Sequence, residues 1–108
     1  MVDEGRISAL QEILKDSPDD AFARYALGLE YSGAGDTEAA LREFNLLLDA
    51  HPDYTNGYFM AAQVLERDGR INDSREMLLK GIESARHSNN RHALSEMEAM
   101  LDELLGRE

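Results

Sequence analysis

The side chains able to do chemistry in this 108-residue chain are three histidines and 22 acids, with no cysteine among them. Without cysteine there is no disulfide, no thiolate metal ligand and no thiol nucleophile. A helical zinc pair takes two histidines four residues apart, as in H-E-x-x-H. Here His87 and His92 are five apart across an expected turn, and His51 stands alone before Pro52. His51 falls at an expected helix C-terminus, whose partial negative charge favours an imidazolium. No metal site and no cofactor are expected. Neighbouring acids recur as Asp19-Asp20, Glu96 with Glu98, and Asp102-Glu103. Acid–base catalysis needs such a pair in a pocket that perturbs it. Acids spread along helix faces read instead as solvated surface. The chain has no Gly-x-Ser-x-Gly elbow, no phosphate-cradling loop and no dinucleotide fingerprint. The expectation is a protein that is not an enzyme. Asn72-Asp73-Ser74 matches a glycosylation sequon, but it falls inside an expected helix and is read as chance.

Charge narrows the partners. The 22 acids face 11 bases, for a net charge of -11. Affinity for nucleic acid is built from cationic contacts, so this balance opposes it, and an anionic membrane surface would repel the chain as well. The excess is uneven: residues 1–54 hold 12 acids and 4 bases, and residues 55–108 hold 10 and 7. The plain reading is solubility. The sharper one is steering of a basic partner toward the N-terminal half. Apolar residues at 43% and charged residues at 31% describe a globular chain, of a length that suits one domain. The stretch Met1–Leu14 is acidic and amphipathic, without the basic start and apolar run of a secretory signal. No apolar run approaches the roughly 20 residues that span a bilayer. A cytoplasmic protein is expected.

The elements that position these residues show a period. Pro18 and Pro52 are 34 residues apart, and each is followed by aspartate. The same shift stacks Leu10, Phe44 and Leu78, and then Leu14, Leu48 and Ile82. It places Tyr25 over Phe59, Leu27-Gly28 over Ala61-Ala62, Gly35 over Gly69 and Ala40 over Ser74. Most columns keep size rather than identity, as repeated packing requires. Gly35 and Gly69 close apolar-periodic segments, where a left-handed residue ends a helix. Asp36 follows at once as a cap, and Asp19 and Asp20 can cap the helix beginning near Ala21. Apolar residues at helical spacing give six helices, at about 3–16, 20–33, 36–50, 54–68, 71–86 and 90–105. The short loops make neighbours antiparallel, and nothing reads as a strand.

A helix–turn–helix period of 34 is that of the tetratricopeptide repeat, and the chain resembles that family over nearly its whole length. Residues 21–54 carry Leu27-Gly28, Tyr31, Gly35-Asp36, Ala40, Phe44, Leu48 and Pro52 in the family's order. Residues 55–88 carry a weaker copy: Tyr58, Ala61-Ala62, Leu65, Gly69, Ser74, Leu78 and Ile82, with Arg86 where the closing proline would stand. Residues 1–18 look like the second half of an upstream repeat, and 89–108 like a capping helix. Arg24 departs from the pattern, since the family usually has a large apolar residue there, and with no full repeat before it Arg24 is expected at the open edge of the stack. The resemblance implies one all-α domain over 1–108, an antiparallel helix-pair solenoid of about six helices with a right-handed superhelix. It also resembles small stand-alone bacterial proteins of this type.

The resemblance further implies that the first helix of each pair lines a concave groove where a protein or peptide partner lies. The groove positions are then Phe22, Tyr25, Ala26, Leu29 and Ser32, with Asn56, Phe59, Met60, Gln63 and Arg67. Asn90, Ala93 and Met97 would extend it. Phe22, Tyr25, Leu29, Phe59, Met60 and Gln63 are the expected contacts, with adaptable apolar surface at the centre. Tyr25 and Phe59 can equally be tucked between adjacent helices. The family's carboxylate clamp needs lysine, arginine and asparagine, but the matching positions hold Tyr25, Leu29 and Met60, so acidic chaperone tails are not expected partners. A second reading is a self-assembling scaffold. In it Phe22 and Leu29, or Met97, Met100, Leu104 and Leu105 of the last helix, would complete the core in a homodimer.

Overall fold

Turn geometry sets where the helices begin and end. The computed structural model describes residues 4–106 and contains six helices. They are α1 (Glu4–Asp16), α2 (Ala21–Gly33), α3 (Thr37–Ala50), α4 (Thr55–Arg67), α5 (Ile71–His87) and α6 (Arg91–Leu105), with no strand among the described residues. Each end after the start of α1 falls within one residue of the sequence expectation. The expected start at Asp3, and the ends 1–2 and 107–108 of the expected domain, lie outside the described residues. Gly35 and Gly69 adopt φ of 79° and 78°, the left-handed conformation that reverses a helix end at little cost only for glycine. At the third such turn Asn89 takes that role with φ 59°, as asparagine can.

In all three turns the next residue donates its N–H back across the closed end. Asp36 donates to Tyr31 O (3.0 Å), Arg70 to Leu65 O (2.9 Å) and Asn90 to Ala85 O (2.8 Å), which satisfies carbonyls the helix leaves open. The same residue then starts the following helix. Asp36 Oδ1 accepts from Ala39 N at 3.2 Å, and Asn90 Oδ1 accepts from Ala93 N at 3.1 Å. Asp20 caps α2 in the same way, accepting from Ala23 N at 3.0 Å. The missing third proline has a visible effect. The position 34 residues after the end of α3 is Ser84, yet α5 continues to His87 because Arg86 does not stop it.

The chain divides into two compact units, residues 1–51 and 52–108. In the first, α2 packs against both α1 and α3. Its core is Ala23, Leu27, Ala39, Ala40, Leu41, Phe44, Leu47 and Leu48. No residue of α1 is fully buried. Arg6 Nε donates to Glu30 Oε1 (3.2 Å), and Gln11 Nε2 donates to the Tyr31 hydroxyl (3.1 Å), both on α2.

Arg24 is no open edge in this unit. Its Nη1 donates to Glu43 Oε1 at 2.8 Å and its Nη2 to Pro18 O at 3.2 Å. Glu43, on the buried side of α3, is only 7% exposed. The arginine therefore replaces a large apolar side chain by meeting an acid across the helix pair.

In the second unit α5 packs against α4 and α6, and α4 also reaches α6. The core is Tyr58, Ala61, Ala62, Val64, Leu65, Leu78, Ile82, Ala85, Ala93, Met97 and Leu104. A Cβ at Gly81 would lie 2.6 Å from the Tyr58 Cβ and would overlap Met97 Sδ. Tyr58 OH and Ser84 Oγ both donate to Pro52 O, at 2.7 and 3.1 Å. The start of this unit is thereby tied to α4 and α5. Ser74, the third residue of the sequon, is fully buried and donates to Ala62 O at 2.7 Å.

Candidate interaction faces

Helical spacing puts Phe22, Tyr25, Ala26 and Leu29 on one side of α2, at i, i+3, i+4 and i+7. The buried residues of this helix, Ala23, Leu27 and Gly28, are on the opposite side. Phe22 is 70% exposed, and Tyr25, Ala26, Leu29 and Ser32 are half-buried. The ring of Tyr25 meets that of Phe44 at 6.2 Å between centroids and 53° between planes. Tyr25 is thus partly a core residue, with one side against α3. The sequence of α2, AFARYALGLEYSG, holds only two charges, Arg24 and Glu30, and both are ion-paired within this unit, at 2.8 and 3.2 Å. A helix apolar on all sides is ordinarily buried on all sides, but here the Phe22 side lies open.

In the second unit the corresponding side of α4 carries Phe59, Met60 and Gln63, all half-buried, with Asn56 and Arg67 exposed towards its ends. Two expected extensions fail. Ala93 is 3% exposed and Met97 not at all, because α6 turns that side onto Gly81 and the unit's own core. Asn90 spends its side chain capping α6.

Leucine doublets show what periodicity alone leaves open. Adjacent helical residues cannot both face one core. Leu78 is fully buried while Leu79 is 56% exposed, and Leu104 is 1% exposed while Leu105 is 47%. Leu79, Leu101 and Leu105 line an open depression of about 470 Å³ with Asn72, Arg75 and Glu76. A second depression, of about 610 Å³, lies between Pro52, Tyr58 and the Leu79–His87 side of α5. The doublets were the signal for this exposed apolar surface.

Among the described residues the histidines sit at helix ends and along an exposed helix side. His51 closes α3, and its Nε2 donates to Asp19 O at 3.0 Å, which puts the ring proton on Nε2. His87 is exposed at the end of α5. His92 Nε2 meets Glu96 Oε1 at 3.1 Å along the exposed side of α6. Among the described residues no three metal-ligating side chains gather, and no helix is long and apolar enough to cross a membrane.

Comparison with known proteins gives concordant results. Residues 1–59 match the profile of the tetratricopeptide repeat family. A TPR repeat-containing protein of Pseudomonas aeruginosa is 26% identical over 98 residues, covering 91% of this chain and 93% of its own length. The solution structure of a tetratricopeptide repeat domain protein from Salinibacter ruber superposes with a TM-score of 0.80 at 33% identity, over 85% of this chain and 93% of that one. The crystal structure of PcrH in complex with the chaperone-binding region of PopD is similar in fold. Its TM-score is 0.87 at 18% identity, over 94% of this chain and 77% of that one.

Proposed function

The chain belongs to the tetratricopeptide repeat family, a fold of protein-interaction modules, and from that we propose that it binds a protein segment on the outward side of its first-of-pair helices. The observation that carries the reading is α2. Phe22 stands 70% exposed on a helix whose two charges are already engaged. Leu29 and the open side of Tyr25 continue the apolar stripe, and Phe59, Met60 and Gln63 offer a similar one on α4. The PcrH structure, a complex with a segment of another protein, supports this use of the fold. On this reading residues 1–18 are a half-repeat, 21–54 and 55–88 the two repeats, and 89–108 the cap.

The test is selection of short random peptides displayed on phage, followed by anisotropy titration of the selected sequences. Phe22→Ala should weaken binding by roughly tenfold or more, as for a central aromatic in an interface, with the helical circular dichroism unchanged. Selected peptides that bind Phe22→Ala as tightly as wild type would place the site elsewhere.

Self-association is the alternative, favoured by the exposed Leu79 and Leu105 beside Leu101. It no longer includes Met97 or Leu104, which the unit's own core occupies. Sedimentation equilibrium over a concentration series decides it. A single monomer mass at every concentration would remove this reading, and a dimer abolished by Leu79→Glu would put it first.

A further inference from the structure

We infer that α1 is a strap: it leaves α2 and unravels as a unit while α2 and α3 stay folded, so that the first unit has a closed and an open state. This behaviour does not depend on which partner the Phe22 side takes.

The strap is visible in how little of α1 is buried. Each of the other five helices holds at least three buried residues, and α1 holds none. Ile7, Leu10 and Leu14 form a stripe at helical spacing, but each is only half-buried, and Ile13 is 44% exposed. Apolar burial is the main term that holds a helix to its neighbours. The polar contacts of α1 do not make up the difference. In the Arg6–Glu30 pair the side chains are 66% and 23% exposed, and the bond from Gln11 to the Tyr31 hydroxyl is exposed as well. Exposed ion pairs contribute little and are screened by salt.

The helix beneath has a second partner that does not depend on α1. Gly28 faces the Phe44 ring, Tyr25 meets the same ring, and Arg24 reaches Glu43. Phe44 and Leu47, both fully buried, belong to α3. Loss of α1 therefore removes one neighbour of α2 and leaves the other. By itself α1 is 13 residues long, and a helix so short is marginal in water. Undocking and unravelling then become one event, confined to residues 4–16. In the open state Glu30 loses Arg6 and Tyr31 loses Gln11. The middle of α2 then offers a carboxylate and a phenol that the closed state keeps engaged. A ligand of those two groups would bind only the open state, and its apparent affinity would be reduced by that state's fraction.

Hydrogen exchange of the full chain, read amide by amide by NMR, tests the strap. The amides of α1 are expected to exchange at least about a hundredfold faster than the slowest amides of α3, yet at least about tenfold slower than those of an unstructured peptide. Leu48→Ala, which weakens the core of the first unit, should speed α3 and leave α1 unchanged. Urea below the unfolding midpoint makes the same separation without a substitution: α1 should respond weakly and α3 steeply, because the strap exposes far less surface than global unfolding. Arg6→Gln, or salt near 1 M, should speed α1 by about two- to fivefold and leave α3 unchanged.

Exchange of α1 and α3 at one rate, with both responding alike to Leu48→Ala and to urea, would show a single cooperative unit and overturn the strap. Exchange of α1 as fast as an unstructured peptide would overturn it too, since no closed state would then be populated.

Discussion

Gly28→Ala tests how closely α2 and α3 approach. A Cβ added there would lie 2.6 Å from Phe44 Cε1 and 2.9 Å from Cδ1 and Cζ. Carbon atoms rest at roughly 3.5–4.0 Å, so the ring would have to retreat by about 1 Å. The ring has little room to do so, since Phe44 is fully buried and Tyr25 packs on it at 6.2 Å. Overpacking of this kind costs about 1–3 kcal/mol, and the blocked ring argues for the upper half. Replacing a mid-helix glycine by alanine returns about 1 kcal/mol of helix propensity. The net is a loss of about 1–2 kcal/mol, a fall in melting temperature of several degrees for a chain of this size. Urea unfolding followed by circular dichroism would measure it. Adding Phe44→Leu supplies the control. The smaller side chain makes room for the new methyl, so the double variant should lose at least about 1 kcal/mol less than the sum of the singles. The reasoning is refuted if Gly28→Ala is as stable as wild type, or if the two changes simply add.

Glu43→Leu alone should cost about 1–3 kcal/mol, because it strands Arg24 in a largely buried position. Arg24→Leu together with Glu43→Leu should recover most of that loss in the same unfolding assay. Ser74→Ala should cost about 1 kcal/mol, the net worth of one buried hydrogen bond to Ala62 O. Leu48→Ala, at a residue 8% exposed, should cost roughly 2–5 kcal/mol, and a cost near zero by thermal melting would contradict its core position. Asn89→Gly should raise stability by a few tenths to about 1 kcal/mol, since glycine holds the left-handed conformation without strain.

Much of the fold was legible because its punctuation is local. Gly35, Gly69, Pro18 and Pro52 each act on their immediate neighbours, so their spacing located four helix ends without knowledge of any contact. Asn89 was missed as a turn residue because asparagine takes the left-handed conformation only as one of several options. The Arg24–Glu43 pair joins residues 19 apart in different helices, and no periodicity links them. Arg24 therefore looked like an edge residue until its partner was seen. The last helix illustrates the limit of apolar patterning. Leu94, Met97, Leu101, Leu104 and Leu105 spread over more than one side, so the sequence could not say which residues face inward. The structure turns Met97 and Leu104 onto Gly81 and the core, and leaves Leu105 outside. On α2, the family resemblance grouped Phe22, Tyr25 and Leu29, but the engagement of Tyr25 with Phe44 depended on the helix-pair geometry.

The three turns in which one residue closes a helix and opens the next have a consequence for engineering. At Asp36, Arg70 and Asn90 the N–H finishes one element while the residue itself begins another. Side-chain identity is comparatively free there, since Arg70 makes no side-chain cap yet holds the same backbone bond. Length is not free. One inserted residue separates the two jobs and frays two helices together, and proline at any of the three positions removes the donor outright. Epitope tags, labels or grafted loops placed in these turns should therefore melt the module, even though the turns are exposed and look permissive.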